Sequence, residues 1–431
     1  MQNLTERINK HIQNPHSARL SPLSLSCFPV PRQLHQALNR HWSQTIVESM
    51  TDLKTYCRFD HQHNREKRNQ ESNSQNKIRL GYLSADFRSH AVGCLIGDIF
   101  QYHDRNIFEV YAYSLTDTKD EITKIIQDSC DIFVNVADLS VEAAARRIYE
   151  DRIDILIDLG GYTTSSRPEI LALQPAPIQI QYLGYPDTMA AEFIQYILSD
   201  RWIIPSSLAH HYTEQVLELP HTFIASLVKI SDEAPTRQEL GLPEQGFVYC
   251  CFNRTDKFDP HLFAIWMRIL QGVPESVLWL TEAAPEISAT LRKEALAKGV
   301  DPQRLVFSPK FSMPVFLASY QRADLFLDTF NYNAGSTAIC GLQSGLPILT
   351  CTGETFASRM AASICASVGL EAFICDSPLV YEQQAIYWGK HPQELGLIKT
   401  SLLKQKQNLP LFQQKQWIEN LETILKNLLQ Q

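Results

Sequence analysis

Two positively charged residues lie on a loop that the sequence predicts between a buried strand and a helix. The apolar run FVYCCF ends at Phe252, and Asp259 followed by Pro260 is typical of the N-cap and first position of a helix. Arg254 and Lys257 stand between these signals, where they could neutralise a diphosphate and make a metal ion unnecessary in that role. The alternative is a solvated charged loop without a ligand.

A second candidate anion site follows the apolar run in FLDTFNYNAGST. The run ends at Asp328, a loop of small and polar residues follows, and a helix is predicted to begin at Ser336 or Thr337. A helix N-terminus attracts anions, the two hydroxyls can bond to a phosphate, and Gly335 lets the backbone approach a ligand closely. The same pattern also fits a plain N-cap that binds nothing.

Two further motifs follow predicted strands in the first half of the chain. His90 lies in LSADFRSH after the strand IRLGY, and an imidazole with its usual pKa of about 6.5 can act as base or hydrogen-bond donor at neutral pH. The turn DLGGYTTSSRPE, residues 158–169, offers hydroxyls that could hold a sugar or a phosphate. An exposed loop histidine and a simple helix cap are the alternatives.

Alternating strands and helices must position these motifs. Short apolar runs such as IRLGYLSADF and FEVYAYSL, separated by helical segments, predict βαβ units and a mainly parallel sheet. The alternation breaks at about 219–243 and then resumes, so we expect two α/β domains with a cleft between them and the motifs just after strands. Apolar residues at helical spacing mark both chain ends: Leu34, Leu38, Trp42, Ile46 and Met50, and Trp417, Leu421, Ile424, Leu425 and Leu428.

The predicted organisation has five parts. They are an N-terminal helical segment (1–63), a flexible linker (64–76), two Rossmann-like domains (77–223 and 224–400) and C-terminal helices that pack back on the core (401–431).

Composition and charge argue against several classes of protein. The 431 residues carry a formal net charge of -8, whereas a general nucleic-acid binder is expected to be basic. No run approaches the ~18 apolar residues of a membrane span, and the N-terminus lacks the apolar core of a secretory signal. The ten cysteines form no CxxC pair or zinc-like cluster, so we expect buried thiols in a reducing cytoplasm and no metal site. No strand precedes a GxGxxG loop, which argues against a dinucleotide-dependent oxidoreductase.

The order of the motifs is more specific than any one of them. IRLGYLSADFRSHAVG, LQPAPIQIQYLGYPDT, VYCCFNRTDKFDP, FLDTFNYNAGST and GETFASRMAAS follow one another along the chain. Over residues 77–430 the chain resembles the catalytic region of the O-GlcNAc transferase and SPINDLY-like glycosyltransferases, glycosyltransferase family 41. The resemblance implies an α/β fold of GT-B type, in which two Rossmann-like domains face a cleft and the C-terminal one holds most of the donor.

The activity that the resemblance implies is inverting and metal-independent. A sugar passes from a nucleotide diphosphate to Ser or Thr of a protein acceptor, without a cofactor. UDP-GlcNAc is the expected donor, and GDP-fucose is the alternative that would make the chain a protein O-fucosyltransferase. The expected partners are the donor and the acceptor protein, with no nucleic acid or membrane, and the sequence does not indicate an oligomeric state.

The resemblance also assigns roles to individual residues. His90 falls on an active-site histidine proposed as a base, and Lys257 on a lysine that steadies the leaving diphosphate. Ser336 and Thr337 fall on a hydroxyl pair that contacts the diphosphate. The remaining implied contacts are Arg254, Phe316 and Gly335 on the nucleotide-sugar side, and Tyr162 and Thr163 on the sugar or acceptor side.

Five positions depart from the family pattern. Gly335 replaces a common His, Cys340 an Asp placed to meet the ribose, Phe316 a base-stacking His, Met313 a Lys near the ribose, and Arg254 an Asn or Gln. The main hypothesis is therefore an active glycosyltransferase with an altered donor pocket. The alternative is a degenerate GT-B scaffold that acts as a binding or regulatory protein.

Overall fold

The computed structural model of the chain describes residues 2–13, 20–62, 64, 77–307 and 311–430. The predicted linker at 64–76 lies outside the described residues except for Asn64. Unit 1 comprises Met1–Ser226 and Gln414–Gln431, and unit 2 comprises Leu227–Gln413, each compact in itself. This division does not test the domain boundaries expected from the sequence, which stay predictions.

Unit 1 is built on a parallel sheet. Within the described ranges its seven strands lie in the order β3-β2-β1-β4-β5-β6-β7. They are β1 (Ile78–Ser84), β2 (Phe108–Ser114), β3 (Ile132–Asn135), β4 (Ile155–Asp158), β5 (Ile178–Gln181), β6 (Tyr196–Ser199) and β7 (Gln215–Glu218). Leu83 of β1 stands opposite Asp158 of β4, so the loops after these neighbouring strands begin at the same edge of the sheet.

Helices precede and flank this sheet, as predicted. They are α1 (Gln2–Gln13), α2 (Pro22–Leu25), α3 (Arg32–Ser49), α4 (Thr51–Tyr56), α5 (Ala91–Ile96), α6 (Glu121–Ser129), α7 (Val141–Glu150) and α8 (Pro168–Ala172). Ile46 of α3 is buried in the same core as the strands, and Arg32 pairs with Asp187 beyond β5 at 2.5 Å, both side chains buried. The N-terminal helical segment is thus part of the packing of unit 1.

Unit 2 repeats the parallel arrangement. In the part of the chain that the structure describes, its six strands lie in the order β10-β9-β8-β11-β12-β13. They are β8 (Phe247–Cys251), β9 (Ser276–Leu280), β10 (Leu305–Phe307), β11 (Leu325–Leu327), β12 (Ile348–Cys351) and β13 (Ile374–Cys375). Cys250 of β8 stands opposite Phe326 of β11, so the loops after these two strands also share an edge.

Two helices of unit 2, which start at Pro260 and Ser336, begin where local sequence signals predict. They are α9 (Pro260–Gly272), α10 (Pro285–Ala297), α11 (Met313–Ser319), α12 (Ser336–Gln343), α13 (Met360–Ala366), α14 (Pro378–Lys390) and α15 (Pro392–Gln405). Asp259 caps α9 by accepting from the Leu262 N–H at 2.8 Å, and Pro260 is the first helical residue. Asp259 also accepts from the Asn331 side chain at 2.9 Å, which links this cap to the loop after β11.

The last helix, α16 (Gln414–Gln430), belongs to unit 1. Its predicted apolar face is confirmed, because Trp417, Leu421, Leu425 and Leu428 are buried. The Trp417 indole donates to the Thr222 carbonyl at 3.2 Å. The fold is therefore α/β in both units, with helices at both chain ends, as the sequence predicts.

The ten cysteines all lie in the described ranges and are free thiols. Eight are buried, while Cys94 is exposed and Cys130 is half-buried. Burial raises the pKa of Cys351 and of Cys375 to about 12, so these thiols stay protonated at neutral pH. Burial of most thiols is as expected, and the compartment stays a prediction.

Candidate functional site

Lys257 ends a short turn, Thr255–Lys257, in the loop after β8. Its Nζ donates to the Asn333 carbonyl oxygen at 3.0 Å and lies 3.7 Å from the centre of the Tyr332 ring. Tyr332 and Asn333 belong to the loop after β11. The structure thus brings together the two anion motifs that the sequence presents separately, because the strands before them are neighbours.

Arg254 lies three residues before Lys257 but has a different environment. Its guanidinium bonds to both carboxylate oxygens of Asp256, at 3.1 and 2.5 Å, with 76% of its side chain exposed. This ion pair was not predicted from the sequence. An exposed ion pair contributes only ~0–1 kcal/mol, so it does not prevent the guanidinium from meeting an anionic ligand.

The start of α12 offers an uncapped helix N-terminus. Ser336 is the first helical residue, as predicted, and Gly335 at the N-cap supplies no side-chain hydrogen bond. A Cβ added at Gly335 would meet only the Met360 Cε, at 3.7 Å, so the backbone here is open rather than crowded. The first N–H groups of a helix have no partner within the helix, and with the dipole they favour an anion.

Thr337 is joined to a buried polar network beneath the helix start. Its hydroxyl donates to the Asn253 Oδ1 at 2.8 Å. The Asn253 amide nitrogen donates in turn to the Asp328 carboxylate at 3.0 Å and to the Thr329 hydroxyl at 2.8 Å. Asn253 was missed by the sequence analysis, although a polar residue directly after a buried strand is a signal that could have found it.

Asp328 is fully buried at the end of β11. Burial raises the pKa of its carboxyl to about 6, although hydrogen bonds from Thr350, Ala334 and Thr329 favour the charged form. The acceptor capacity of the carboxylate is used to hold the loop, so Asp328 is a structural acid rather than an exposed one.

Three of the five substituted positions, Phe316, Cys340 and Met313, have different surroundings. Phe316 is half-buried and meets Phe252 and Tyr320 edge-on, with ring centres 5.3 Å apart in both cases. Cys340 is buried within α12, and Met313 is 67% exposed at the start of α11. Part of the Phe316 ring is thus accessible for stacking, whereas Cys340 presents a buried thiol.

His90 lies in unit 1, at the N-cap of α5 after β1. Its Nδ1 is 3.3 Å from both the Val92 N–H and the Asp86 Oδ2, and 42% of its side chain is exposed. Without a proton, Nδ1 accepts from Val92; with one, it faces the Asp86 carboxylate. Asp86 is buried and bonded to Arg88 at 2.9 Å, so it can orient the imidazole, a partner that the sequence analysis missed.

Close packing fixes this loop. A Cβ added at Gly93 would lie 2.3 Å from the Arg88 carbonyl oxygen and 2.4 Å from that of Asp86. The first turn of α5 can therefore rest on the loop only because residue 93 is glycine. The backbone on both sides of His90 is held in place by this contact.

The turn after β4 is organised by its first residue. Asp158 is buried and accepts from the N–H groups of Gly160 and Gly161 at 3.1 and 2.7 Å, and burial raises its pKa to about 6. Thr163 is half-buried and donates to the Gly160 carbonyl at 2.8 Å. Tyr162 is buried in the core and donates to the Met189 carbonyl at 2.7 Å, so its position is explained by packing and its contact with a sugar or acceptor stays a prediction.

The described residues contain no group of three or more His, Cys, Asp or Glu side chains suited to a metal ion. None of the helices in these ranges is long and apolar enough to cross a membrane.

The chain is similar to known glycosyltransferases along most of its length. The family described as Glycosyl transferase family 41 matches residues 4–229 and 225–421. A probable UDP-N-acetylglucosamine–peptide N-acetylglucosaminyltransferase SEC of Arabidopsis thaliana is 35% identical over 80% of this chain and 36% of its own length. A probable enzyme of the same description named SPINDLY, from Petunia hybrida, is 28% identical over 82% of this chain and 39% of its own length.

A solved structure supports the fold. An O-GlcNAc transferase variant of Thermobaculum terrenum matches with a TM-score of 0.84 at 22% identity, covering 98% of this chain and 81% of that one. This similarity confirms the predicted GT-B type of α/β fold. The chain spans less than half the length of the two plant relatives.

Proposed function

The chain belongs to glycosyltransferase family 41, and we propose that it transfers a sugar from a nucleotide diphosphate to Ser or Thr of a protein. The observation that supports this proposal most directly is the position of Lys257. Its ammonium is fixed on the Asn333 carbonyl, in the loop that leads to the uncapped start of α12. A cation and a helix N-terminus on adjoining loops suit a ligand with two phosphates.

In the proposed reaction, the bond between the anomeric carbon and the diphosphate breaks while the acceptor hydroxyl oxygen forms a new bond to that carbon from the opposite face. Negative charge develops on the diphosphate, where Lys257, Arg254 and the first N–H groups of α12 stabilise it. We assign this role to protein cations, without a metal ion or cofactor. Ser336 adds a hydroxyl, and Phe316 offers a ring face to the base.

The acceptor hydroxyl must lose a proton as it attacks. His90 is the proposed base, with Asp86 holding the imidazole, and Tyr162 and Thr163 belong to the neighbouring turn of the same sheet edge. The protein acceptor is proposed from the relatives' names, and a cytoplasmic location from the cysteine usage.

UDP-GlcNAc is the proposed donor because both plant relatives are named for it. Cys340 supports a second candidate, a binding or regulatory scaffold, since a buried thiol cannot replace a carboxylate that accepts from ribose hydroxyls. GDP-fucose is the alternative donor for the enzyme.

The deciding experiment measures binding, hydrolysis and peptide transfer with UDP-GlcNAc, UDP-glucose and GDP-fucose. Lys257→Ala should lower turnover by about 10²–10³-fold, as loss of a transition-state charge contact does. Lys293→Ala, at an exposed lysine of α10, is the matched control and should behave as the unaltered protein. Binding without turnover would favour the scaffold, and no nucleotide binding at millimolar concentration would exclude both functions.

His90 is tested separately. His90→Ala should reduce peptide transfer while nucleotide binding, which we assign to unit 2, is retained. Unchanged transfer by this variant would remove His90 from the mechanism.

A further inference from the structure

We propose that Asn253 is a positioning residue for Thr337. It is the middle member of a carboxylate–amide–hydroxyl chain, Asp328–Asn253–Thr337, that fixes how the Thr337 hydroxyl bonds to a nucleotide. The inference rests on the proposed function, because the ligand it concerns is the nucleotide diphosphate. The three residues come from the loop after β8, the end of β11 and the first turn of α12, which the fold brings together.

The carboxylate end of the chain is held by the core. Asp328 is fully buried, and its Oδ2 accepts from the Thr350 hydroxyl at 2.8 Å. Its Oδ1 accepts from the N–H groups of Thr329 and Ala334 at 2.8 and 2.7 Å, and from the Asn253 amide nitrogen at 3.0 Å. An ionised carboxylate can only accept hydrogen bonds, so the Asn253 nitrogen must be the atom that faces it.

A second neighbour fixes the same orientation of the amide. Thr329 gives its hydroxyl proton to the Tyr332 carbonyl at 2.5 Å, so its oxygen is an acceptor for the Asn253 nitrogen at 2.8 Å. Turning the amide over would set the Asn253 oxygen against two acceptors in a buried site, which is strongly unfavourable. The nitrogen therefore faces the core, and the oxygen faces Thr337.

The orientation of the amide determines the chemistry of Thr337. A threonine hydroxyl has one proton, and Thr337 gives it to the Asn253 oxygen at 2.8 Å. Towards a ligand the Thr337 oxygen is then an acceptor, suited to an O–H or N–H of the nucleotide. Phosphate oxygens, which are themselves acceptors, are left to Ser336, Lys257 and the N–H groups at the start of α12.

This assignment divides the pair Ser336 and Thr337. The family resemblance implies a diphosphate contact for both hydroxyls. The buried chain instead assigns phosphate binding to Ser336 and acceptor chemistry to Thr337, with Asn253 acting only through Thr337. Asn253 itself is buried, so a direct ligand contact is not needed for its effect.

The test is a double-variant cycle on the affinity for UDP, measured by calorimetry at one fixed salt concentration. Thr337→Val and Asn253→Ala should each weaken binding by about three- to tenfold, the equivalent of one hydrogen bond. The double variant should bind UDP no more weakly than the single variant with the lower affinity, because the two substitutions remove the same contact. Thr337→Ser should bind as the unaltered protein does.

Thr350→Val is the matched control for mere loss of stability. It removes a hydrogen bond from the opposite oxygen of Asp328 without touching Asn253. It should lower the thermal midpoint while the affinity for UDP stays within about twofold, less than the loss of one hydrogen bond to the ligand. Should Asn253→Ala fail to fold, Asn253→Ser takes its place in the cycle.

Two results would overturn the role of the Asp328–Asn253–Thr337 hydrogen bonds without affecting the proposed function. One is additive losses of UDP affinity in the double variant, and the other is equal weakening of UDP binding by Thr350→Val and Asn253→Ala. Absence of UDP and GDP binding by the unaltered protein would overturn the proposed function and this inference together, since Thr337 would have no ligand to meet.

Discussion

Asp158 makes the stability of unit 1 depend on pH in a direction that follows from its burial. Its carboxylate accepts from the N–H groups of Gly160 and Gly161, and burial raises its pKa from 3.8 to about 6. Between these two pH values the native state holds the proton more tightly than the unfolded chain. The contribution of Asp158 to stability therefore falls as pH rises through this window, by about 3 kcal/mol at ~1.36 kcal/mol per pH unit.

Asp158→Asn removes the titrating group and keeps its shape. The Asn oxygen can accept from one of the two N–H groups, but its NH₂ then meets the other, at a cost of about 1–3 kcal/mol. Near pH 4, where the native carboxyl is neutral, we expect the variant to be less stable by this amount. The difference should shrink or change sign by pH 7, where only the unaltered protein carries a buried charge.

The assay is urea unfolding of both proteins at several pH values between about 4 and 7.5, followed by intrinsic tryptophan fluorescence. Asp138→Asn is the control, because that side chain is exposed on the same unit. A stability difference between Asp158→Asn and the unaltered protein that stays constant across this range would refute the argument from burial.

Three further changes test single contacts. Tyr332→Leu should lower kcat about fivefold, because it removes a half-desolvated cation–π contact with Lys257 that is equivalent to ~1 kcal/mol. Tyr332→Phe keeps the aromatic ring and should keep the rate. Equal kcat values for the Leu and Phe variants would contradict this role of Tyr332. Gly335→Ala should lower the thermal midpoint slightly although its Cβ has room, since φ -103° with ψ -92° lies outside the helical and extended regions that alanine adopts, and calorimetric unfolding checks it. Arg32→Ala should lower the free energy of unfolding of unit 1, measured in urea, by ~3–5 kcal/mol, because it leaves the buried Asp187 charge without its ion-pair partner. The double variant Arg32→Met with Asp187→Leu should recover much of this loss.

Local signals predicted the elements of this chain well. The N-cap at Asp259, the helix start at Ser336 and the apolar face of α16 each depend on residues a few positions apart. Burial on both faces marks the parallel strands for a similar reason, since the whole run must be apolar. The placement of the motifs after strands follows from these elements alone.

Partners distant in sequence could not be predicted in this way. Lys257 and Asn333 are 76 positions apart, and Asn253 and Thr337 are 84 apart, so only the pairing of β8 with β11 makes them neighbours. Tyr162 shows a related gap. It stands in a hydroxyl-rich turn, yet its side chain enters the core, because the direction of a turn residue depends on backbone geometry rather than residue type.

Asp158 in unit 1 and Asp328 in unit 2 have the same structural role. Each stands where a buried parallel strand ends, and that strand pairs with the first strand of its sheet, β4 with β1 and β11 with β8. Each carboxylate accepts N–H groups of the loop that follows, and each has its pKa raised to about 6 by burial. Their charges are used to shape the loops, which leaves the ligand chemistry to the side chains that those loops present. A substitution at either aspartate should therefore change the position of the loop that follows it. It should alter the affinity for the ligand of that loop and the free energy of unfolding together.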